Sequence, residues 1–390
     1  MGTTQALSAV AVGIQRTYSL GRTGVVFNAI ATSGFSSNEL VLLNTGNIPE
    51  LQLSTGGTAV DATNTILYNM WATAFKVIDE SNKVIDAGNK LADKPFAASL
   101  IGYVTIYKAL ALGTISSFWE KVPITTGKNV PFVDRKEGFK AAITAIDKAL
   151  ALNPTTLSGA PNLNITNALH ALKARYALFS EQYDLALTEA GLVTLPTTLA
   201  TASSFGFDAA NPNVLNSIIS SNNVFQPLNA NLGLPAALTP DPADARLPFY
   251  TAMEGTPTAT LRMKGFSTSP VGVIPIFYPG EMALIKAEAY VRKPVPDIAN
   301  GLLELNKVVT KTTDVYGIGA KLPMLVGLFT APQLLDEIYK HRCIEMYASG
   351  FKLEDMRRFN RPAAEMKRKF MPYPFQERDN NTNTPANPAF

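Results

Sequence analysis

The sequence predicts an all-α protein: tetratricopeptide-like helical hairpins stacked in a curved array, carrying long irregular loop insertions. Three observations predict it. Apolar residues recur at helical spacing over much of the chain. One stretch, 166–192, reads as two short helices with Ala at facing positions. Between the helical blocks lie two long segments rich in Gly, Pro, Asn, Ser and Thr.

The elements follow in order. In 65–91, Leu67, Met70, Trp71, Ala74, Ile78 and Ile85 fall on one face with Asn82 among them, so Asn82 needs a hydrogen-bonding partner there. A helix over about 96–118 carries Leu100, Val104, Tyr107 and Ala111. The next, about 135–151, has Phe139, Ile143, Ile146 and Leu150; Asp134 and Glu137 suggest a capping box, and Asn153-Pro154 stops it. In 166–192, Ala174, Ala186 and Ala190 let two helices approach while Leu178 and Tyr183 fill the seam. Glu181 stands where such a hairpin commonly turns on Gly. Residues 97–118 with 135–151, and 281–292 with 297–311, read as further pairs. The last long helix starts at Thr330-Ala-Pro-Gln333, a capping box with Pro in the first turn, runs to Ala348 and ends before Gly350. The tail 371–390 reads as extended. The whole of 1–390 reads as a single domain: helical scaffold 65–196 and 281–370, irregular loops 19–64 and 197–280, and the tail.

Composition excludes several function classes. Charged residues are 17% of the 390 and apolar residues 46%, so the chain can build a core and is not of the disordered type. A net charge of +3 without a basic stripe argues against nucleic acid. Two His and one Cys supply too few donors for a His/Cys zinc site. HExxH, GxSxG, GxGxxG and P-loop patterns are all missing, so no catalytic residue is assigned, no cofactor and no metal. No run reaches the apolar length of a membrane span; the longest candidate, Leu100 to Ile115, contains Lys108. The Met1-Gly2 start reads as a mature chain whose leader was removed.

Individual residues read mostly as structural. Trp71 and Trp119 read as core, Cys343 as a buried inert thiol, and His170 and His341 as packing or surface residues. Arg342 and Glu345 lie one helical turn apart, and Asp355 and Arg358 repeat that spacing, which suits an internal ion-pair network.

The segment Arg342-Cys-Ile-Glu345-Met-Tyr-Ala-Ser-Gly350-Phe-Lys-Leu-Glu-Asp355-Met-Arg-Arg358 resembles the C-terminal signature of the SusD/RagB family. Arg342, Glu345, Gly350, Asp355 and Arg358 match; Ser349, Lys352 and Met356 depart from it. Glu281 to Tyr290, Phe118-Trp-Glu-Lys-Val-Pro123 and Met371-Pro-Tyr-Pro-Phe-Gln-Glu377 through Asn381 are similar to further family motifs, in the family's order. The resemblance implies a non-enzymatic lipoprotein on the surface of the outer membrane, which captures an oligosaccharide or other nutrient for a SusC-like TonB-dependent transporter. It implies membrane contact only through a lipid anchor on a cysteine that this sequence does not contain.

Sugar recognition needs flat apolar faces and hydrogen-bonding groups beside them. With the family placing ligand contacts on the early loop and the central insertion, Arg22, Phe35, Asn38 and Glu39 are the candidate ligand-binding residues, and the aromatics of 197–280 a further wall. Two other classes stay open: a tetratricopeptide-type scaffold that binds peptides of other proteins, and a hydrolase using two carboxylates such as Glu39 and Asp61.

Overall fold

The computed structural model describes residues 4–160 and 163–390, so the Met1-Gly2 start lies outside the described residues. Three helices precede the predicted scaffold: α1 (Thr4–Ser19), α2 (Val25–Ser36) and α3 (Ile48–Thr55). The scaffold follows with α4 (Thr65–Asn89), α5 (Lys94–Phe118), α6 (Arg135–Leu150), α7 (Ile165–Phe179) and α8 (Tyr183–Leu192). The α-helices of the central excursion are the short α9 (Val214–Ser221) and α10 (Arg246–Tyr250). Then come α11 (Pro279–Arg292), α12 (Ile298–Val309), α13 (Ala331–Glu345), α14 (Lys352–Arg358) and α15 (Phe375–Asn380).

The scaffold helices pack in sequence, α4 on α5, α5 on α6, α6 on α7, α7 on α8, then α8 on α11 and α11 on α12 and α13. Each neighbouring pair is a hairpin or a step between hairpins, so the tetratricopeptide-like stack is observed. The segment 19–64 is not an irregular loop: α2 and α3 occupy much of it, and α1 and α2 pack against α4 and α5. The α1 stripe of Leu7, Ala11, Ile14 and Tyr18 is buried at helical spacing. In α2 all but one residue is buried, so no polar face marks it as a helix in the sequence.

Local chemistry explains the boundaries. Asn64 caps α4 by accepting from the backbone N–H of Ile66 and Leu67 (3.0 and 3.2 Å). Asp93 caps α5. Asp134 caps α6 through Lys136 N–H, while Glu137 turns outward to Lys140, so the predicted capping box is not closed. The box at Thr330 and Gln333 is formed. The buried polar member of the α4 stripe is Ser81, which donates to the Val104 carbonyl of α5 (3.4 Å); Asn82 is half-buried beside it. Helix α13 ends at Glu345, three residues before the predicted Ala348, and the chain turns through Gly350 at φ +88°. A Cβ at Gly350 would also press on the Ala29 backbone (3.2 Å), so both conformation and space require glycine. The tail is not wholly extended, since α15 lies within it.

Helix α5 is long and apolar enough by length and composition to cross a membrane, contrary to the expectation that no run qualifies, and most of it is buried in the stack. Lys108, which interrupted the apolar run, is half-buried and does not shorten the helix.

Glu181 adopts φ +63°, the left-handed conformation that its place in the hairpin suggested. The Gln182 N–H donates to Ala177 O (2.8 Å) across it, closing the end of α7. Among the described residues its carboxylate pairs only with exposed Lys136, which contributes little. Glu181→Gly therefore raises stability by about 1 kcal/mol in urea unfolding; an unchanged or lowered midpoint would contradict the strain.

Four short antiparallel two-stranded ladders complete the fold. They are β1 (Leu40–Leu42) with β5 (Phe225–Pro227), β2 (Lys121–Val122) with β3 (Val133–Asp134), β4 (Ser204–Phe205) with β8 (Ile274–Pro275), and β6 (Thr251–Glu254) with β7 (Thr260–Met263). The first, with Leu40 opposite Pro227, ties the early segment to the central excursion.

Candidate functional site

The signature residues form a buried electrostatic hub. Arg342 forks onto Asp355 (2.9 and 3.0 Å), and Arg358 forks onto Glu288 (2.6 and 2.9 Å) while also reaching Asp355 (2.7 Å). Arg292 adds a bond to Glu288 (2.7 Å). Glu345 does not pair with Arg342; it accepts from Arg246 (3.1 Å) and Lys311. Glu288 comes from the α11 segment, so two of the motifs quoted above meet in space. A second fork joins Arg175 of the α7–α8 hairpin to Glu281 (2.5 and 2.8 Å). Arg175, Glu281, Glu288, Arg342, Glu345 and Asp355 are buried and paired, though Arg342 Nη1 and Arg358 Nη1 find no partner, which makes the network a clamp between α7, α11, α13 and α14 and not a contact surface.

The four residues expected to bind ligand sit elsewhere. Phe35 is fully buried against Phe225 (ring centroids 5.9 Å). Glu39 is buried below β1 with Oε1 accepting from Ala348 N–H (3.3 Å). Asn38, at φ +62°, donates to Glu365 O (3.0 Å). Arg22 is half exposed and paired with buried Glu50. Phe35 and Glu39 thus serve packing, because the early segment folds into helices whose apolar faces must be covered. The two excursions do touch, through β1 and β5, yet none of the four lines the groove described next.

An open groove of about 440 Å³ runs between α4, the turn 122–130 and α15. Tyr68, Trp71 and Phe75 project from consecutive turns of α4, at i, i+3 and i+7, so one helix face supplies three rings. Tyr68 is exposed, Phe75 is half-buried, and Trp71 forms the floor at 3% exposure. The Trp71 and Phe75 rings lie 5.0 Å apart, and Trp71 meets Trp119 edge-on at 4.8 Å. Trp119 is anchored in turn by its Nε1–H on Pro372 O (2.9 Å). Both tryptophans are core residues, as expected, and Trp71 also presents an edge to the groove.

The closing motif of the chain builds the opposite wall. Glu377 Oε2 accepts from Trp71 Nε1–H (3.0 Å), and Glu377 Oε1 accepts from Asn381 Nδ2 (2.9 Å). Asn381 also donates to Val130 O (3.1 Å), and Asn383 to Asn129 O (2.7 Å), which ties the tail to the turn. Asp79 lies at the groove with Lys83 (2.6 Å) and Thr126 (3.3 Å) on its carboxylate. The Lys83 hydrogen bond holds that carboxyl below the usual range, so it is an acceptor at neutral pH. Gln376 and Asn380 offer exposed amides. Apolar ring faces flanked by amides and a carboxylate can stack on C–H surfaces and bond hydroxyls. The sequence reading missed this groove because Tyr68 was not singled out and the tail was read as extended.

Other singled-out residues are structural. Burial pushes the Cys343 thiol up to about 12, which leaves it protonated and unreactive. His341 is held neutral by burial and by neighbouring Arg246, whose Nη2 donates to Nδ1 (2.7 Å). His170 contacts Glu189 (2.6 Å). Among the described residues no group of His, Cys, Asp and Glu could hold a metal ion.

Solved structures similar to this chain decide the fold family. A SusD superfamily protein from Bacteroides vulgatus superposes with a TM-score of 0.77 over 100% of both chains at 15% identity. The chain has the SusD-like fold. A SusD superfamily protein from Bacteroides thetaiotaomicron gives 0.76 at 17% identity, covering 99% of this chain and 100% of that one. A laminarin binding SusD-like protein gives 0.73 at 13% identity over 99% of each. No protein-family model and no curated protein matches the chain. The SusD-like architecture is thus shared at an identity where side chains at a surface site are free to differ.

Proposed function

We propose that this chain is a non-catalytic glycan-binding protein that captures a short oligosaccharide in the groove of Tyr68, Trp71 and Phe75. The observation that carries the reading is the groove's composition: exposed Tyr68 and half-buried Phe75 over the edge of Trp71, between an ionised carboxylate and amides. The laminarin-binding and carbohydrate-binding neighbours support the class of ligand. In the fuller reading the protein stands on the outer-membrane surface by a lipid anchor and passes the glycan to a SusC-like TonB-dependent transporter. Glu377 and Asn381 position Trp71 and the turn, and Asp79, Gln376 and Asn380 receive hydroxyls. Glu39, one carboxylate of the hydrolase alternative, is buried away from the groove.

Calorimetric titration with a panel of neutral oligosaccharides tests this. At least one should bind saturably, with no reducing ends released on long incubation. Tyr68→Ala and Phe75→Ala should each weaken that binding roughly tenfold, the cost of an aromatic contact of moderate strength. Phe35→Ala should lower the melting temperature instead, being a core truncation. Binding of peptides alone would favour the scaffold reading, and binding undiminished in both groove variants would remove the site.

A further inference from the structure

The central excursion carries a second cleft, of about 410 Å³, between α9, the β6–β7 hairpin and the turn at 265–268. Arg262 of β7 lines it, half-buried, opposite Ala252 in the hairpin register. Every other arginine donates to an oxygen: Arg16, Arg22, Arg135, Arg175 and Arg246; Arg292, Arg342, Arg357 and Arg358; and Arg361, Arg368 and Arg378. Among the described arginines Arg262 is the one whose side chain makes no hydrogen bond, ion pair or ring contact. The nearby charges cancel, since Lys264 Nζ pairs with Glu254 (2.6 Å), which leaves the guanidinium uncompensated. The strand that carries it is pinned, with Met263 N–H donating to Gln226 Oε1 (2.9 Å). Asn216 is fixed at the edge by its bond to Ser267 O (2.8 Å), and the Ser220 and Thr268 hydroxyls line the same cleft.

We propose that this cleft is an oxyanion site, in which Arg262 receives a carboxylate or sulfate group of a bound glycan. A planar guanidinium presents paired N–H donors that match the two oxygens of such a group, and the Ser220 hydroxyl can donate a further hydrogen bond, that of Thr268 being spent on Gly265 O (3.0 Å). The anion site stands on Arg262 and its cleft alone; only the placement of the anion on a sugar rests on the proposed function. A chain with both sites would prefer acidic glycans over neutral ones.

The test is calorimetric titration of the full chain with sodium glucuronate and, separately, sodium sulfate at low ionic strength, with glucose as the neutral control. Saturable binding of either anion, weakened at least tenfold by Arg262→Gln and partly kept by Arg262→Lys, supports the site. Glucuronate alone identifies a uronic acid ligand, and sulfate alone a sulfated sugar. Raising the salt to about 0.3 M should weaken binding, because an open cleft is screened. No binding of either anion, or binding that Arg262→Gln leaves unchanged, overturns the proposal. Neutral-oligosaccharide binding in the groove should be the same in wild type and Arg262→Gln, so the two sites fail or stand separately.

Discussion

Glu288→Gln should lower the free energy of unfolding by about 3–5 kcal/mol, the cost of removing one partner from a buried ionic cluster. Three guanidinium groups converge on this carboxylate, from Arg292, Arg342 and Arg358, and Glu288 has no solvent exposure. Gln leaves those cations facing only Asp355 and Glu354. Burial alone would raise the Glu288 pKa; Arg358 and Arg292 outweigh it and hold the carboxyl down at about 2, against an ordinary 4.5. A pKa lowered by folding means stability that is complete above pH 4.5 and lost as pH falls toward 2. Urea unfolding of wild type between pH 6 and pH 2.5 should show that loss, and Glu288→Gln should flatten it. A variant with wild-type stability at pH 7 would show that the hub is ornamental.

Glu39→Gln should act in the opposite sense. Burial is the main cause that pushes the Glu39 carboxyl up to about 7, only partly relieved by the charge of Lys352 and the Ala348 N–H. Its Oε2 has no hydrogen-bond partner. A pKa raised by folding means stability that is complete below pH 4.5, falls as pH rises, and is fully reduced above about 7. The difference between 4.5 and about 7 corresponds to about 3 kcal/mol, which the neutral amide should recover at pH 8 and not at pH 4.5. Measured unfolding free energies at the two values decide it; equal effects at both would place the benefit in packing and not in charge. The Glu39 backbone carbonyl, which accepts from Leu228 N–H (2.9 Å) and Tyr347 Oη–H (3.1 Å), is unchanged by the substitution, so those ties persist.

Much of the scaffold was legible because its helices are amphipathic and capped. The stripe of α4, the Asn153-Pro154 stop and the Thr330 box each carry their own signal. Helices α2 and α3 were not legible: one is buried nearly all round, and the other is eight residues long. Helix α1 has a clear stripe that lies ahead of the scaffold and was passed over. The ion-pair hub was read from spacing, and of its wiring the Asp355–Arg358 pair is formed (2.7 Å) while the Arg342–Glu345 one is not. Helical spacing suggested Arg342 with Glu345, whereas the partners come from α11 and α14, and tertiary packing sets which carboxylate faces which guanidinium. The burial of two expected ligand residues was hidden for a related reason. Composition of 19–64 looks like a polar loop, but Phe35 and Glu39 fall on the inner side of α2 and β1 once those form. The groove joins residues about 300 positions apart, Trp71 and Glu377, a pairing that periodicity cannot show.

The most direct measurement is a crystal structure of the protein with the tightest neutral oligosaccharide bound. The account predicts a sugar ring lying flat on Tyr68 or Phe75 with its hydroxyls reaching Asp79, Gln376 or Asn380. A ligand seated away from the groove between α4 and α15, with Tyr68 and Phe75 untouched, would contradict it.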